Sequence, residues 1–315
     1  MEKIRLGIST CLLGHNVRYD GGHKLDRYLR DVLGAYVDYV PVCPEVEAGF
    51  GIPRKAFRLV GDSSRPRLIT NKTKIDHTDR MEAWARRRVK ELEKEDLCGY
   101  VFKSDSPSSG MERVKVYDAN NVPRKAAAGI FARIFMENFP LMPVEEEGRL
   151  HDPLLRENFI ERIFICMRWK QAMADGRKVS TLVEFHTRNK LLILCHSPKH
   201  HTEMGRLVAG AKNRPFAEVE NHYAALLMRA MAVKATPARH VNVLQHIMGY
   251  FKKQLSADEK QELVEVIGHY REGLVPLVVP MTLLNHYIRR FDEPYLKTQS
   301  YLNPHPLELK LRNHV

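Results

Sequence analysis

The chain has 315 residues, of which 44% are hydrophobic and 28% are charged. This composition is typical of a folded globular protein and excludes a disordered chain, and the length predicts two domains. The sequence has no apolar run of about 18 residues, so we expect no transmembrane helix and no membrane partner. The first residues lack the features of a signal peptide, which predicts a cytoplasmic protein.

The net charge of +12 is distributed unevenly along the chain. Residues 1–150 hold 26 Lys and Arg against 22 Asp and Glu, and residues 151–315 hold 24 against 16, so the two parts carry +4 and +8. This asymmetry indicates a polyanionic partner for the second part, with nucleic acid as the first candidate. A soluble basic protein without such a partner is the alternative that composition leaves open.

The first half of the chain alternates strand and helix patterns. The predicted strands are 3–10, 36–42, 57–60, 67–70, 98–103 and 114–117, and the predicted helices are 24–33, 76–96 and 126–138. Such alternation predicts an α/β domain of the Rossmann-like type, with a parallel sheet and helices on both faces. Ligands of such sheets bind beyond the carboxyl ends of the strands.

The second half is predicted to be all-α. The proline-rich, acidic segment 140–148 has the composition of a linker, and helical periodicity dominates after it. The predicted helices are 152–174, 179–195, 199–211, 216–233, 238–254, 257–272 and 280–291. We therefore predict an α/β domain over 1–148 and a helical domain over 149–315.

Three predicted strands end in loops that carry reactive side chains. The first loop holds Cys11, the second holds Cys43 and Glu45, and the third holds the serines of SPSSG, 106–110. Because strand ends on one side of a parallel sheet converge, these residues are expected to share one pocket. Two thiols and a carboxylate suit a metal site or a nucleophilic cysteine, whereas a purely structural role of buried cysteines remains the alternative.

The segments STCLLG (9–14), CPEVEAGFGIPR (43–54) and KSDSPSSG (103–110) resemble the TudS-type thiouracil desulfidases. FHTRNKLLILCHSPKHH (185–201) and HVNVLQHIMGYFKK (240–253) resemble the YbgA-like helical domain. The two domains in this order resemble the RudS-type tRNA 4-thiouridine desulfidases. The resemblance implies a [4Fe-4S] cluster held by three cysteines, whose open iron binds the substrate sulfur, and it implies tRNA as the partner.

One position departs from the pattern of that family. The resemblance assigns the ligands to Cys11, Cys43 and position 109, where this chain has Ser109 instead of cysteine. A serine oxygen is a harder and less common iron ligand than thiolate, which predicts weak cluster binding. An engineered replacement and a natural member with altered chemistry both account for the serine. Cys98 begins its predicted strand and is expected at the opposite edge of the sheet.

The reaction implied by the resemblance converts 4-thiouridine and water into uridine and hydrogen sulfide. Glu45 is the candidate general acid and base, and Ser106 is the candidate hydrogen-bonding group for the base or the water. A turn residue before Pro107 is the alternative role for Ser106. Two other functions stay open: desulfidation of free 4-thiouracil or thiouridine monophosphate, and RNA binding without catalysis at a decayed cluster site.

Basic residues in both halves are candidates for contacts with RNA phosphates. Arg54, Lys55 and Lys103 lie close in sequence to the three loops. The candidates in the helical half are Lys199, His200, His201, Arg206, Lys212, Arg214, Lys252, Lys253, Arg289 and Arg290. Cys166 and Cys195 stand in apolar runs of that half and are expected in its core.

Overall fold

A computed structural model describes residues 3–314. The chain forms two compact units, which meet in sequence between Asp152 and Pro153. The first unit contains two four-stranded sheets and the second is helical. The predicted fold class, a parallel-sheet α/β domain followed by an all-α domain, is confirmed.

Within the described residues 3–152, eight strands and three α-helices build the first unit. The strands are β1 (Ile4–Ser9), β2 (Val37–Val42), β3 (Phe57–Val60), β4 (Arg67–Thr70), β5 (Tyr100–Phe102), β6 (Val114–Tyr117), β7 (Pro123–Ala127) and β8 (Val144–Glu146). The helices are α1 (Pro44–Glu47), α2 (Thr78–Leu92) and α3 (Ile130–Asn138). Lys24–Leu33, predicted as a helix, instead holds a π-type turn over Tyr28–Val32.

The first sheet has the order β2-β1-β5-β8, and all of its strands are parallel. Gly7, Ile8 and Ser9 are consecutive in β1 and all buried, as expected for a strand covered on both faces. Because the strands are parallel, their carboxyl ends lie at one edge, and the loops carrying Cys11, Cys43 and the SPSSG serines begin there. This edge positions the candidate site.

The second sheet is mixed, with the order β4-β3-β6-β7. Alternate residues of its central strands, Leu59, Val114 and Val116, are buried and belong to the core of the first unit. The residues between them, such as Arg58 and Lys115, therefore lie on the opposite face. This sheet has one apolar face and one polar face.

Two further predictions for the first unit were wrong. Segment 140–148 is not a linker, because Val144–Glu146 forms β8 and pairs with β5. The helix predicted to begin at residue 126 begins at Ile130, since Pro123–Ala127 pairs with β6 as strand β7. β8 gains its hydrogen bonds from β5, a partner distant in sequence that a local pattern does not encode. β7 pairs with its sequence neighbour β6, but its sequence PRKAA lacks the apolar alternation of a strand.

The second unit consists of α-helices around one hydrophobic core. They are α4 (Pro153–Asp175), α5 (Val179–His196), α6 (Pro198–Ala209), α7 (Phe216–Ala232), α8 (Pro237–Met248), α9 (Ala257–Arg271), α10 (Val278–Arg290) and α11 (Pro294–Lys297). Cys195 is fully buried in this core and Cys166 is also buried, as predicted for both residues. Among residues 3–314, no helix is both long and apolar enough to cross a bilayer.

A buried ion network crosses the helical unit. The guanidinium of Arg312 donates from Nε to Glu157 at 3.2 Å and from Nη2 to Glu161 at 2.8 Å. His196 Nε2 lies 2.9 Å from the second oxygen of Glu161. Burial and the neighbouring Glu161 raise the pKa of Glu157 to about 8. The network joins the first helix of the unit to the C-terminal segment, and Arg312 supplies the positive charge that buried carboxylates require.

Candidate functional site

Three loops of the first unit form the wall of one cavity of about 520 Å³. It lies at the carboxyl edge of the parallel sheet, where ligands of α/β proteins bind. The lining includes Cys11 after β1, Cys43 and Glu45 after β2, and Ser106 and Ser109 after β5. The structure therefore brings these five predicted residues together.

Cys11 and Cys43 are both buried, with exposed fractions of 8% and 9%. Burial raises the pKa of the Cys11 thiol to about 11. Burial and the nearby Glu45 carboxylate raise the pKa of the Cys43 thiol to about 12. Both side chains are thus neutral thiols near pH 7, and binding a metal through them releases protons.

Glu45 stands at the centre of the polar contacts in the cavity. Its Oε2 lies 3.7 Å from Cys43 Sγ and 3.6 Å from Arg54 Nη2. Its Oε1 accepts a hydrogen bond of 2.5 Å from the hydroxyl of Ser108. These contacts hold both carboxylate oxygens in place, and Glu45 lines the cavity.

The SPSSG loop holds a chain of hydroxyl groups that ends at Glu45. Because Ser108 donates its proton to Glu45, the 3.1 Å contact between the Ser106 and Ser108 hydroxyls requires Ser106 to donate. The Ser106 oxygen in turn accepts the backbone N–H of Ser109 at 3.1 Å. The sequence analysis expected the SPSSG serines in the pocket but assigned a role to Ser106 and none to Ser108, because the contact of Ser108 with Glu45 depends on the approach of two separate loops.

The loop is held in place by the start of α3. The backbone N–H groups of Ile130 and Ala132 donate to the carbonyls of Pro107 and Ser108, at 3.2 Å and 3.1 Å. A Cβ atom on Gly129 would lie 2.5 Å from the carbonyl carbon of Ser108, so the glycine permits this close approach. Ser109, only 3% exposed, is fixed between this support and the cavity.

The predicted phosphate contacts of the first unit occupy different environments. Lys55 is exposed, whereas Arg54 has a buried guanidinium that donates to the Val17 carbonyl at 2.9 Å. Lys103 forms an ion pair with Glu147, and its Nζ also donates to Ser104 Oγ at 3.0 Å. Arg54 and Lys103 line the cavity, so their charges would lie beside a molecule that enters it.

The cavity also contains charged groups that the sequence analysis did not select. Arg18 and Lys24 from the loop after β1 add positive charge to its lining. Glu147, at the end of β8, accepts the backbone N–H of Ser104 at 2.7 Å and fixes the start of the third loop. The three consecutive glutamates 145–147 could have identified Glu147 in the sequence, but the prolines before them favoured a linker.

The RNA-binding candidates of the helical unit lie largely at its surface. Eight of the ten candidates are exposed, including the arginine pair at the end of α10. The exposed residues are Lys199, Arg206, Lys212, Arg214, Lys252, Lys253, Arg289 and Arg290, and the half-buried residues are His200 and His201. Arg290 is paired with Glu259. Their contact with RNA stays a prediction.

Comparison with known proteins gives a family for each unit. Residues 6–147 match the family described as 2-thiouracil desulfurase, and residues 190–306 match the family described as protein of unknown function DUF1722. The chain therefore combines a 2-thiouracil desulfurase domain with a DUF1722 domain.

Two curated proteins and one solved structure are similar to parts of the chain. Uncharacterized protein YbgA of Escherichia coli K12 is 29% identical over 153 residues, 48% of this chain and 90% of that protein. Uncharacterized protein YbbK of Bacillus subtilis 168 is 26% identical over 108 residues, 33% of this chain and 71% of that protein. The structure of the [4Fe-4S]-dependent thiouracil desulfidase TudS is 28% identical, covers 48% of this chain and 95% of that chain, and has a TM-score of 0.39.

Proposed function

We propose that this chain, through its 2-thiouracil desulfurase domain, removes sulfur from a thiolated pyrimidine, and that its substrate is 4-thiouridine in tRNA. The observation that carries the proposal is the cavity of about 520 Å³ in which Cys11, Cys43 and Glu45 meet the SPSSG loop. A cavity of this size accommodates a nucleoside. It lies within the residues that match the desulfurase family.

The residues present fit an iron–sulfur cluster in part. Cys11 and Cys43 offer thiols to the same cavity, and thiolates are the usual ligands of such clusters. The third position offers the Ser109 hydroxyl, a harder ligand that iron–sulfur clusters rarely use. We therefore expect this chain to hold a [4Fe-4S] cluster weakly. When bound, the cluster would supply a Lewis-acidic iron for the sulfur atom.

The side chains of the cavity account for proton movement in the reaction. Water forms a bond to C4 of the thiopyrimidine and the C4–S bond breaks, so that thiouridine and water give uridine and hydrogen sulfide without net oxidation. Glu45 takes the two protons of the water in turn and passes each to the departing sulfur, which leaves as hydrogen sulfide. Ser108 and Ser106 orient the Glu45 carboxylate through their hydroxyl chain.

The support for tRNA as partner is the charge of the helical unit. Residues 151–315 have a net charge of +8, and eight of the ten basic candidates there are exposed. Phosphate contacts by Lys and Arg supply most of the affinity of proteins for RNA. A free thiopyrimidine would need only the cavity, so an added basic domain favours a polynucleotide substrate.

The proposal is tested by anaerobic cluster reconstitution of the full chain and of Ser109→Cys. We expect about four irons and four sulfides per chain in the variant, as a cubane cluster requires, together with sulfide release from 4-thiouridine. Ser106→Cys, a thiol at another cavity position of the same loop, is the matched control and should not raise the iron content. A fully loaded Ser109→Cys protein that releases no sulfide from any thiopyrimidine would overturn the proposal.

A second function is favoured by Ser109 itself. Loss of one thiolate from the ligand set is what a decayed cluster site would show, and the basic helical unit would then bind RNA without catalysis. The same reconstitution separates the two functions. Retention of tRNA binding by a Ser109→Cys protein that gains neither cluster nor activity supports the non-catalytic role.

A further inference from the structure

The polar face of the second sheet carries an unusual concentration of positive charge. Arg58 on β3, Arg67 on β4 and Lys115 on β6 lie on this face, since their strand neighbours Leu59, Leu68 and Val116 are buried. Lys125 on β7 lies on the same face because it is opposite Lys115 in the antiparallel β6–β7 ladder, next to a register shift between Val114 and Lys115. We name these four residues the basic sheet face.

The opposed lysines are unfavourable for the sheet alone. Like charges at directly opposite cross-strand positions destabilise a ladder. Both side chains are exposed, and within residues 3–314 neither has a carboxylate within ion-pair distance. Arg67, by contrast, is paired with Asp76 at 3.4 Å. A polyanion bound across Lys115 and Lys125 would relieve their repulsion.

The basic sheet face is connected to the candidate site. A cleft of about 250 Å³, lined by Arg58, Lys115 and Tyr117, shares four wall residues with the site cavity. The shared residues are Phe57, Asn71, Asp105 and Pro107. The two strands that border the cleft pair only through Leu59–Val116 and Val60–Tyr117 among the described residues, so the cleft lies where they separate.

The cleft also contains an arginine over an aromatic ring, which we call the stacking platform, and the same arginine donates from Nη1 to Asn121 Oδ1 at 2.5 Å. The guanidinium of Arg58 lies 4.8 Å from the centre of the Tyr117 ring, and Arg58 Nε is buried without a hydrogen-bond partner among the described residues. Unstacked RNA bases are bound on aromatic rings and on arginine planes, while lysines hold the adjacent phosphates. Cations beside a stacking platform are therefore suited to single-stranded RNA rather than to an acidic peptide.

We propose that the basic sheet face and its cleft bind the nucleotides adjacent to the thiopyrimidine that occupies the site cavity. This inference rests on the proposed function and specifies its substrate as single-stranded or locally unpaired RNA. Lys115 and Lys125 contact backbone phosphates, and the Arg58–Tyr117 pair contacts a flanking base. A modified base becomes accessible only when it leaves its stack, and a track beside the cavity holds the strand in that state.

The test compares two ligands of the full chain: an RNA octamer with one central 4-thiouridine, and 4-thiouridine monophosphate. In the double variant K115A/K125A we expect the octamer affinity to fall at least about tenfold at low salt. The slope of log affinity against log salt should decrease by about 1.4, because each phosphate contact with a single strand contributes about 0.7. Binding of the monophosphate should not change.

The matched control is K90A/K94A, which removes two exposed lysines at and after the end of α2 and should leave both affinities within about twofold. Folding is checked by thermal unfolding, where removal of the opposed lysines should not lower the melting temperature. Equal octamer affinity in the two double variants would overturn the inference. So would competition by poly-glutamate as strong as that by RNA.

The proposed function is judged by a different measurement. Sulfide release from the monophosphate by reconstituted Ser109→Cys tests the chemistry and does not involve the basic sheet face. Sulfide release with lysine-independent octamer binding refutes the inference alone. Lysine-dependent octamer binding without sulfide release refutes the proposed function alone.

Discussion

At the residue scale, the proposed chemistry of the site depends on Glu45. Its carboxylate lies between the Cys43 thiol, the Arg54 guanidinium and the Ser108 hydroxyl, and it borders the cavity. Each neighbour fixes the carboxylate without covering it. This is the arrangement expected of a positioned general acid and base.

We predict that Glu45→Gln, in the Ser109→Cys background, slows sulfide release by roughly 10²–10⁴-fold and leaves the iron content unchanged. The amide keeps the shape of the side chain but does not transfer a proton. Glu47→Gln is the control, because Glu47 accepts the Cys43 backbone N–H at 2.9 Å and does not line the cavity. Loss of iron in Glu45→Gln would instead make Glu45 a structural residue or a ligand.

The burial of His240 lets us predict how the stability of the helical unit depends on pH. His240 is 8% exposed, and its Nδ1 lies 3.0 Å from Tyr301 Oη and 3.1 Å from Cys195 Sγ. Burial and the charge of Arg312 lower the pKa of His240 to about 3. The unfolded chain, with a histidine pKa of about 6.5, therefore binds a proton that the folded chain excludes between these two values.

The free energy of unfolding should accordingly fall as the pH decreases below about 6.5, by at most about 1.4 kcal/mol per pH unit from this group. Denaturant unfolding of the full chain and of His240→Asn at pH 7 and pH 4.5 measures the effect. The stability difference between them should shrink by about 1–3 kcal/mol at the lower pH. His269→Asn, at an exposed position, is the control, and an equal pH dependence of both variants would refute the prediction.

At the scale of elements, the site depends on the support of the SPSSG loop by α3. The backbone of Ser108 and Ser109 packs directly on Gly129. The first backbone N–H groups of α3 donate hydrogen bonds to carbonyls of the same loop. The start of α3 and the SPSSG loop therefore pack as one unit. A change at Gly129 is transmitted to the serines without touching the cavity.

We predict that Gly129→Ala lowers the free energy of unfolding by about 1–3 kcal/mol, because the new methyl group overlaps the Ser108 carbonyl. The backbone angles at Gly129 (φ −64°, ψ 154°) suit any residue, so the overlap alone is responsible. Gly205→Ala is the control: no atom lies within 4 Å of its Cβ position in α6, and alanine should stabilise that helix by about 0.5–1 kcal/mol. Similar stability of the two variants would contradict the role of Gly129.

At the scale of the whole molecule, the two units divide the proposed work. Each has its own core, and the cavity belongs to residues of the first unit. The larger positive charge belongs to the second. We therefore assign most of the tRNA affinity to the helical unit and the positioning of one nucleotide to the first.

We predict that a fragment of residues 153–315 binds tRNA, and that its affinity falls by orders of magnitude between about 50 and 200 mM salt. Each phosphate contact releases a counterion, so several contacts make binding strongly dependent on salt. Gel-shift titrations at a series of salt concentrations measure this slope. The fragment 1–152, reconstituted with Ser109→Cys, should desulfurate thiouridine monophosphate far better than tRNA. Equal activity of that fragment and the full chain on tRNA would refute this division.

The sequence by itself determined most of the elements and the content of the site. Strong local patterns placed β3, β4 and β6 at their observed bounds, and α5, α7, α9 and α10 within about two residues, because burial of one face imposes a period on the chain. Alternating strands and helices predicted a parallel sheet, and that sheet predicted one edge for Cys11, Cys43, Glu45 and the serines.

Only the tertiary structure decided what depends on contacts between distant segments. Strands β7 and β8 are short, and their backbone hydrogen bonds come from β6 and β5, so no local period identifies them. The Ser108–Glu45 hydrogen bond and the burial of Arg54 have the same origin, whereas the opposition of Lys115 and Lys125 depends on the register of the neighbouring strands β6 and β7. Side-chain type is a property of the sequence, whereas the partner of a polar group is set by packing of segments that are far apart along the chain.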